Sequence, residues 1–229
     1  MRFTWYSVEG GAAQARAEFE AERIPEHTLE EIARIYATGG LVALATDTVY
    51  GLTSLVGGAG IAKVFVAKGR PREVALPVFA PSAEGALSLC DLEDRRAVAG
   101  LRALGEKFWP GALTVVMRRS PAFVADLGGE DPASVGIRVP RGAVLVQLLE
   151  RVGPFVATSA NLHGRPPILK GKEFFLPENA TLLKHLDGLL TDAIPPIGTP
   201  STVVDLRHEE VRILRAGAIP EAAIRAALD

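Results

Sequence analysis

The residues best able to do chemistry in this chain are hydroxyl, amide and cationic side chains that stand directly after, or inside, apolar segments. Thr46, Asp47 and Thr48 follow one apolar run, and Ser159 and Asn161 follow another. Taken alone, each cluster is equally typical of a capped turn. Together they offer many hydrogen-bonding groups but no obvious nucleophile and no obvious general base. Such a site suits a reaction in which substrate groups attack one another while the protein positions them.

A second feature is a basic turn, in which Lys68, Arg70 and Arg72 lie within five residues. Gly69 and Pro71 restrict the backbone beneath these cations. A solvated surface turn is the simplest interpretation of this segment in isolation. Cations on a rigid turn at a helix end also neutralise polyphosphates, and arginine does so with bidentate geometry.

Arg138 stands inside the otherwise apolar segment 134–140. Because an unpaired guanidinium is costly to bury, this arginine requires an anion. A structural Asp or Glu, the commoner case, and the carboxylate of a substrate both meet that requirement. Ser201 opens a further apolar run and Arg215 closes the last one. The combined clusters of hydroxyls, amides and cations fit nucleotidyl transfer.

Other kinds of site are excluded by the same sequence. A single cysteine, Cys90, allows no intramolecular disulfide and no multi-cysteine metal site. The histidines lack the spacing of a zinc-binding helix; they are His27, His163, His185 and His208. No G-x-S-x-G motif is present, and residues 57–63 resemble a phosphate-binding loop without its Gly-Lys-Ser/Thr ending.

The composition predicts a globular protein with a substantial core. The chain has 229 residues, is 48% hydrophobic and 23% charged, and carries a net charge of -2. A constitutive nucleic-acid-binding protein would usually be clearly basic. No segment approaches the roughly 20 apolar residues of a membrane helix, and the first ten residues lack the apolar run of a secretory signal. We therefore expect no membrane association and a cytoplasmic location.

The spacing of apolar residues predicts the elements that position these clusters. Helices are expected at residues 28–38, with Thr28 and Glu31 as a capping box, at 61–68, 92–108 and 144–151, and at the C-terminal end, with Pro220 as the first helical residue. Strands are expected at residues 41–45, 74–79, 113–117, 135–139, 155–158, 186–190, 202–206 and 211–214. This mixed order predicts an α/β (α+β) fold with a single-domain, twisted, open mixed sheet flanked by helices.

The order of these motifs resembles the YrdC-like family of threonylcarbamoyl-AMP synthases, from about residue 28 to about residue 219. The matching segments are residues 39–40, 46–52, 68–71, 108–114, 135–140, 158–161, 201–205 and 214–215. The resemblance implies the YrdC-like/DHBP-synthase-like fold with a positively lined cavity. We expect residues 26–220 to form the catalytic domain, residues 1–25 an extension packed on it, and residues 221–229 a C-terminal helix.

The resemblance also implies a reaction that joins L-threonine, bicarbonate and ATP into threonylcarbamoyl-AMP and pyrophosphate, with Mg²⁺ on the phosphates. The product would serve the transferase machinery that modifies transfer RNA. Carried over by position, L-threonine is expected at Thr48, Arg138, Ala157 and Ser201. ATP is expected at Lys68, Arg70, Ser134, Ser159, Asn161 and Arg215. Of these residues, the cations Lys68, Arg70 and Arg138 are the expected catalytic groups, whereas no metal ligands stand out.

The chain departs from the family pattern at three positions. Val74 and Phe79 replace an Asn and a His that would contact ATP and threonine, and His163 stands where a serine is usual. These departures leave open a paralogue that acts on a different amino acid or other acid. A further alternative is an RNA-binding module of the same fold without catalysis, and weak RNA binding is an expectation of that alternative.

Overall fold

One large mixed sheet organises the protein. The computed structural model describes residues 2–20, 23–192 and 196–229. Within these ranges eleven strands form a single sheet in the order β11-β10-β6-β7-β5-β8-β4-β3-β9-β1-β2. The strands β1 to β11 are Arg2–Glu9, Ala12–Glu20, Val42–Ala45, Tyr50–Leu55, Val78–Phe79, Leu113–Arg118, Ser134–Arg138, Phe155–Ser159, Gly188–Asp192, Thr202–Asp205 and Arg212–Arg215. Parallel pairs join β3 to β9, β5 to β7 and β6 to β10, and the remaining pairs are antiparallel.

Helices cover both faces of this sheet. In the described residues α1 to α7 are Glu26–Ala37, Gly60–Lys68, Ala83–Ser88, Arg95–Phe108, Ala143–Val152, Ala180–Lys184 and Glu221–Arg225. Short 3₁₀ helices lie at Gly171–Phe175 and Pro177–Asn179. The expected single-domain mixed sheet flanked by helices is therefore confirmed.

Alternate residues of the central strands supply two hydrophobic cores. Ala43 of β3 belongs to a cluster with residues of α2, α4 and α6, whereas its neighbours Val42 and Leu44 belong to a second cluster with α1 and α5. The side chains of a strand point alternately to opposite faces. A strand that is buried on both faces therefore has a uniformly apolar sequence, as β3 does.

Several element boundaries differ from the sequence prediction. Helix α1 begins at Glu26 with Pro25 at its N-cap, and the Thr28 hydroxyl is buried without a hydrogen-bond partner among the described residues, so the predicted capping box is wrong. Helix α7 ends at Arg225 rather than at residue 229, and Pro220 is its N-cap rather than its first residue.

The strand predicted at residues 74–79 pairs only at Val78 and Phe79. Arg70 explains this shortening, since its guanidinium takes the backbone oxygens of Val74 and Ala75, at 2.8 and 3.0 Å. Those oxygens are then used by a side chain rather than by a neighbouring strand. The same contacts fix the turn that carries Arg70 to the segment that leads into β5.

The N-terminal residues extend the sheet as the hairpin β1–β2, which sequence patterning did not predict. Strand β1 pairs with β9, and Trp5 is fully buried with its indole N–H donating to Glu31 at 2.9 Å. The indole lies directly against Gly188 of β9, where a Cβ atom would overlap its ring. This close approach requires glycine at position 188.

Gly188→Ala should lower the free energy of unfolding by about 1–3 kcal/mol, because the added methyl displaces the Trp5 ring from a filled core. Urea unfolding measures the change. Gly58→Ala is the matched control, since the atom nearest to its added Cβ would be the Leu55 oxygen, at an ordinary contact distance of 3.8 Å. Equal stability of the two variants would contradict the packing of the hairpin described above.

Candidate active site

Two adjoining cavities lie where the polar clusters meet at the strand ends. The inner cavity has a volume of about 290 Å³ and the outer cavity a volume of about 430 Å³. Both are lined by Arg70, Pro77, Thr114 and Arg215, so they share one wall. The arrangement is a connected space in two parts, with arginines at the junction.

Arg138 lies at the base of the inner cavity as the last residue of β7, with only 3% of its surface exposed. Its guanidinium donates from Nη2 to Asp47 Oδ1 at 2.5 Å, from Nη1 to Thr48 Oγ1 at 2.8 Å and from Nε to the Gly111 oxygen at 2.9 Å. Burial lowers the pKa of Arg138, and the charge of Asp47 opposes that shift. The protein carboxylate that the sequence left as one alternative is therefore present.

Arg138 still has capacity for a ligand. A guanidinium carries five N–H donors, and three of them have the partners Asp47, Thr48 and Gly111 in the described part of the chain. One donor on each Nη atom remains. A pair of donors in this planar group matches the two oxygens of a carboxylate. The Phe79 ring, 5.3 Å from the guanidinium carbon, forms an apolar wall beside it.

Arg70 and Arg215 stand on the shared wall without an acidic partner among the described residues. Arg215 donates to the Ser201 backbone oxygen from Nε and Nη2, at 3.1 and 2.8 Å, and from Nη2 to the Ser201 hydroxyl at 3.0 Å. Neither arginine forms an ion pair with any residue that the structure describes. Burial lowers the pKa of both; the charge of Arg215 adds to the effect on Arg70, and that of Arg138 to the effect on Arg215. This cluster of like charges is a strong site for an anion.

Hydroxyl groups complete the inner wall. Ser201 precedes β10, and its Oγ lies 2.8 Å from Thr114 Oγ1 as well as near Arg215. Thr48 Oγ1 lies 3.1 Å from Thr46 Oγ1 in the loop between β3 and β4. Ala157 also lines the inner cavity, but its N–H donates to the Pro77 oxygen at 3.0 Å and is therefore not available to a ligand.

Lys68 is placed differently from the other predicted residues. It ends α2, is 3% exposed and lines neither cavity. Its ammonium donates to Ser159 O and Asn161 Oδ1 at 2.7 and 2.6 Å, with longer contacts to Ser159 Oγ and Asn161 O. Burial lowers the pKa of Lys68 to about 7, and the charge of Arg70 adds to the shift. Direct contact between Lys68 and ATP stays a prediction.

The remaining predicted ATP contacts divide between the cavities. Ser159 and Asn161 line the inner cavity, and Ser134 lines the outer one. The structure thus places every predicted site residue except Lys68 on a cavity wall. Among the wall residues that the sequence did not assign to the site are Thr114 and Arg165. Thr114 belongs to a segment matched by the family resemblance. The only sequence feature that could have indicated Arg165 is its position as a cation soon after the polar cluster at residues 158–161.

Neither a metal centre nor a membrane segment is evident in the described residues. No group of three or more His, Cys, Asp or Glu side chains there is arranged to hold a metal ion. None of the described helices combines the length and apolar character needed to cross a membrane.

The arrangement of fold and site defines a class of α/β protein with a mixed sheet and an arginine-lined cavity at the strand ends. A family model described as "Telomere recombination", the Sua5–YciO–YrdC family, matches residues 34–217. The chain belongs to this family, which confirms the resemblance seen in the motifs.

Curated relatives extend the comparison. A protein of Mycobacterium leprae is 35% identical over 189 residues, which are 81% of each chain. The threonylcarbamoyl-AMP synthase of Pyrococcus abyssi is 32% identical over 202 residues, which are 87% of this chain and 56% of the relative. The chain therefore spans just over half the length of the Pyrococcus enzyme.

A solved structure resembles this chain in both fold and sequence. P. abyssi Sua5 complexed with L-threonine has a TM-score of 0.76 at 30% identity, covering 90% of this chain and 58% of that protein. The names of these relatives favour the synthase interpretation of the sequence over an RNA-binding module without catalysis.

Asp47→Asn should lower the free energy of unfolding by roughly 2–3 kcal/mol, because it leaves the buried Arg138 charge uncompensated. Urea unfolding at neutral pH measures the loss. The matched control is Asp126→Asn, whose ion pair with Arg72 has side chains 75% and 49% exposed; it should cost less than about 1 kcal/mol. Equal losses for the two variants would show that the buried pair has no special role.

Lys68 should make stability rise with pH. Its pKa is about 7 in the folded protein against 10.5 for an ordinary lysine, so between these values the unfolded chain binds one more proton than the folded one. Stability should then increase by about 1 kcal/mol per pH unit between pH 8 and 10. Chemical denaturation across this range should show the rise in the wild type and not in Lys68→Met. Parallel pH profiles would contradict the lowered pKa.

Proposed function

We propose that this chain is a threonylcarbamoyl-AMP synthase, which joins L-threonine, bicarbonate and ATP and releases pyrophosphate. The observation that carries the proposal is the charge pattern of the connected cavities. Arg138 has two donors left for a carboxylate in the inner cavity, whereas Arg70 and Arg215, without acidic partners in the described residues, stand at the junction with the outer one. An amino acid and a polyphosphate therefore fit side by side. The synthase name of the Pyrococcus relative supports the same reaction.

The inner cavity suits L-threonine. Its carboxylate would take the remaining donors of Arg138, and its hydroxyl and amine would face the hydroxyls of Thr48 and Ser201. Ala157 would contribute packing rather than an N–H donor, since its amide is used by Pro77. The Pyrococcus structure with L-threonine supports this assignment by analogy.

The outer cavity suits the nucleotide. Arg70 and Arg215 would neutralise the triphosphate at the junction, and Ser134 would hydrogen-bond to the nucleotide farther out. Ser159 and Asn161 would contact ATP from the inner side. Lys68 would then act mainly by holding the last two residues in place.

The proposed reaction needs positioning rather than a side-chain base. The amine of threonine combines with bicarbonate, with loss of water, to give a carbamate. A carbamate oxygen then attacks the α-phosphorus of ATP, the bond to the β-phosphate oxygen breaks, and pyrophosphate leaves with the electron pair. Because the carbamate is already an anion, no group must remove a proton for this attack. The arginines stabilise the negative charge that gathers on the phosphates.

Mg²⁺ is proposed to arrive with ATP. This ion commonly binds through substrate phosphates and one or two carboxylates rather than in a cage of protein ligands. The outer cavity offers Glu73, Glu130 and Asp131 on its wall, of which Asp131 is already paired with Arg207. These residues fit a metal held chiefly by the nucleotide.

The proposed product, a mixed anhydride, is a reactive donor that a second enzyme must consume. We propose the transferase machinery that modifies transfer RNA as its consumer and the cytoplasm as the location. Binding of RNA by this chain itself is not required by the proposed chemistry.

Pyrophosphate release from ATP should depend on both L-threonine and bicarbonate, because the α-phosphate has no acceptor until the carbamate forms. A coupled phosphate assay measures the release after addition of pyrophosphatase. Omission of either substrate should reduce it to background. Release that continues without threonine would exclude the proposed function.

The same assay with L-serine and L-valine tests the paralogue alternative raised by Val74 and Phe79. L-Valine has nearly the shape of threonine but lacks the hydroxyl, so it would leave polar groups of the inner cavity unpaired. We expect threonine to give the fastest release. A faster reaction with another amino acid would assign the chain to a paralogue.

A further inference from the structure

A fourth arginine, Arg165, lines the inner cavity from a different part of the chain. It lies in the loop at residues 160–168, which follows β8. Its side chain is exposed and makes no hydrogen bond or ion pair with the residues that the structure describes. It is therefore a cation at a ligand cavity with its full donor capacity available.

The backbone of this loop is closely fixed. Its ends are joined where Ile168 N donates to Ala160 O, at 3.3 Å. Inside the loop, Asn161 Nδ2 donates to the Arg165 oxygen at 2.5 Å, and Arg165 N donates to the Leu162 oxygen at 3.0 Å. Gly164 has a positive φ of 78°, which allows the turn between these contacts. The base of the Arg165 side chain is thus held at a defined place on the cavity rim.

The same network reaches Lys68. Its ammonium donates to Asn161 Oδ1 at 2.6 Å, while its backbone oxygen accepts from His163 N at 2.8 Å. Asn161 links the buried lysine to the oxygen of Arg165. Lys68 and Asn161 are therefore positioning residues for the arginine.

The charge of the inner wall favours an anion larger than an amino acid. Its cations are Arg70, Arg138, Arg165 and Arg215, and its lining includes no Asp or Glu among the described residues. Asp47 compensates Arg138 from behind. Three positive charges are left over, whereas one threonine carboxylate supplies a single negative charge. A polyphosphate group has enough negative charge to compensate the others.

We infer that Arg165 binds the pyrophosphate group of the nucleotide, as a third phosphate-binding arginine beside Arg70 and Arg215. This inference rests on the proposed synthase function. When the bond from the α-phosphorus breaks, negative charge accumulates on the departing pyrophosphate. Arg165 neutralises that charge from the loop side of the cavity.

Binding of inorganic pyrophosphate to the intact protein tests this inference without requiring turnover. Calorimetric titration at low ionic strength compares the wild type with Arg165→Ala and Arg165→Lys. Loss of one exposed charge-assisted contact should weaken binding about three- to tenfold, and the lysine variant should retain most of the affinity. Since the side chain has no partner in the described structure, both variants should keep the wild-type melting temperature.

Arg102→Ala is the matched control, because Arg102 is an exposed arginine on α4 that lines neither cavity. It should leave pyrophosphate binding unchanged. Wild-type affinity in Arg165→Ala, equal weakening in both alanine variants, or no binding by the wild type would each overturn the inference. A wild type that binds pyrophosphate through Arg165 yet shows no threonine-dependent release would refute the synthase function and leave the pyrophosphate site standing.

Discussion

The buried ion pair between Arg138 and Asp47 is the constraint on which the site depends. A guanidinium with 3% exposure must keep its charge compensated, and this requirement brings the loop after β3 against the end of β7. Gly111, before β6, accepts a further hydrogen bond from the same group. Three separate segments are thereby fixed around one cation. The hydroxyl of Thr48 is oriented by the same guanidinium.

In the part of the chain that the structure describes, no carboxylate compensates the other two arginines on the shared cavity wall. Arg70 and Arg215 are held by backbone oxygens and by Ser201, groups that fix their geometry without cancelling their charge. The repulsion between these cations therefore lowers the stability of the folded protein before any ligand binds. An anionic ligand relieves this repulsion, and the donors need little rearrangement when it does. A nearly neutral chain thus contains a strongly cationic cavity.

The sequence predicted those parts of the site whose burial is visible in local pattern. Arg138 inside an apolar strand required an anion, and Asp47 in a neighbouring cluster supplies it. Lys68 was expected to contact ATP from the family resemblance, whereas its burial depends on Asn161, 93 residues away, which local pattern does not reveal. Strand β4 was not predicted, and it is fixed by pairing with β3 and β8, where the buried Thr53 hydroxyl donates to the Val42 oxygen. Contacts between distant segments decide both cases, and local pattern does not contain them.

The central claim is that Arg138, while paired with Asp47, also binds the carboxylate of threonine. Calorimetric titration with L-threonine and with L-threoninol, which lacks the carboxylate, tests it most directly when a non-hydrolysable ATP analogue is present. The account predicts that threonine binds and that threoninol binds at least tenfold more weakly, since a charge-assisted contact to a buried guanidinium contributes about 1.5–3 kcal/mol. Equal affinity for the two compounds would contradict it.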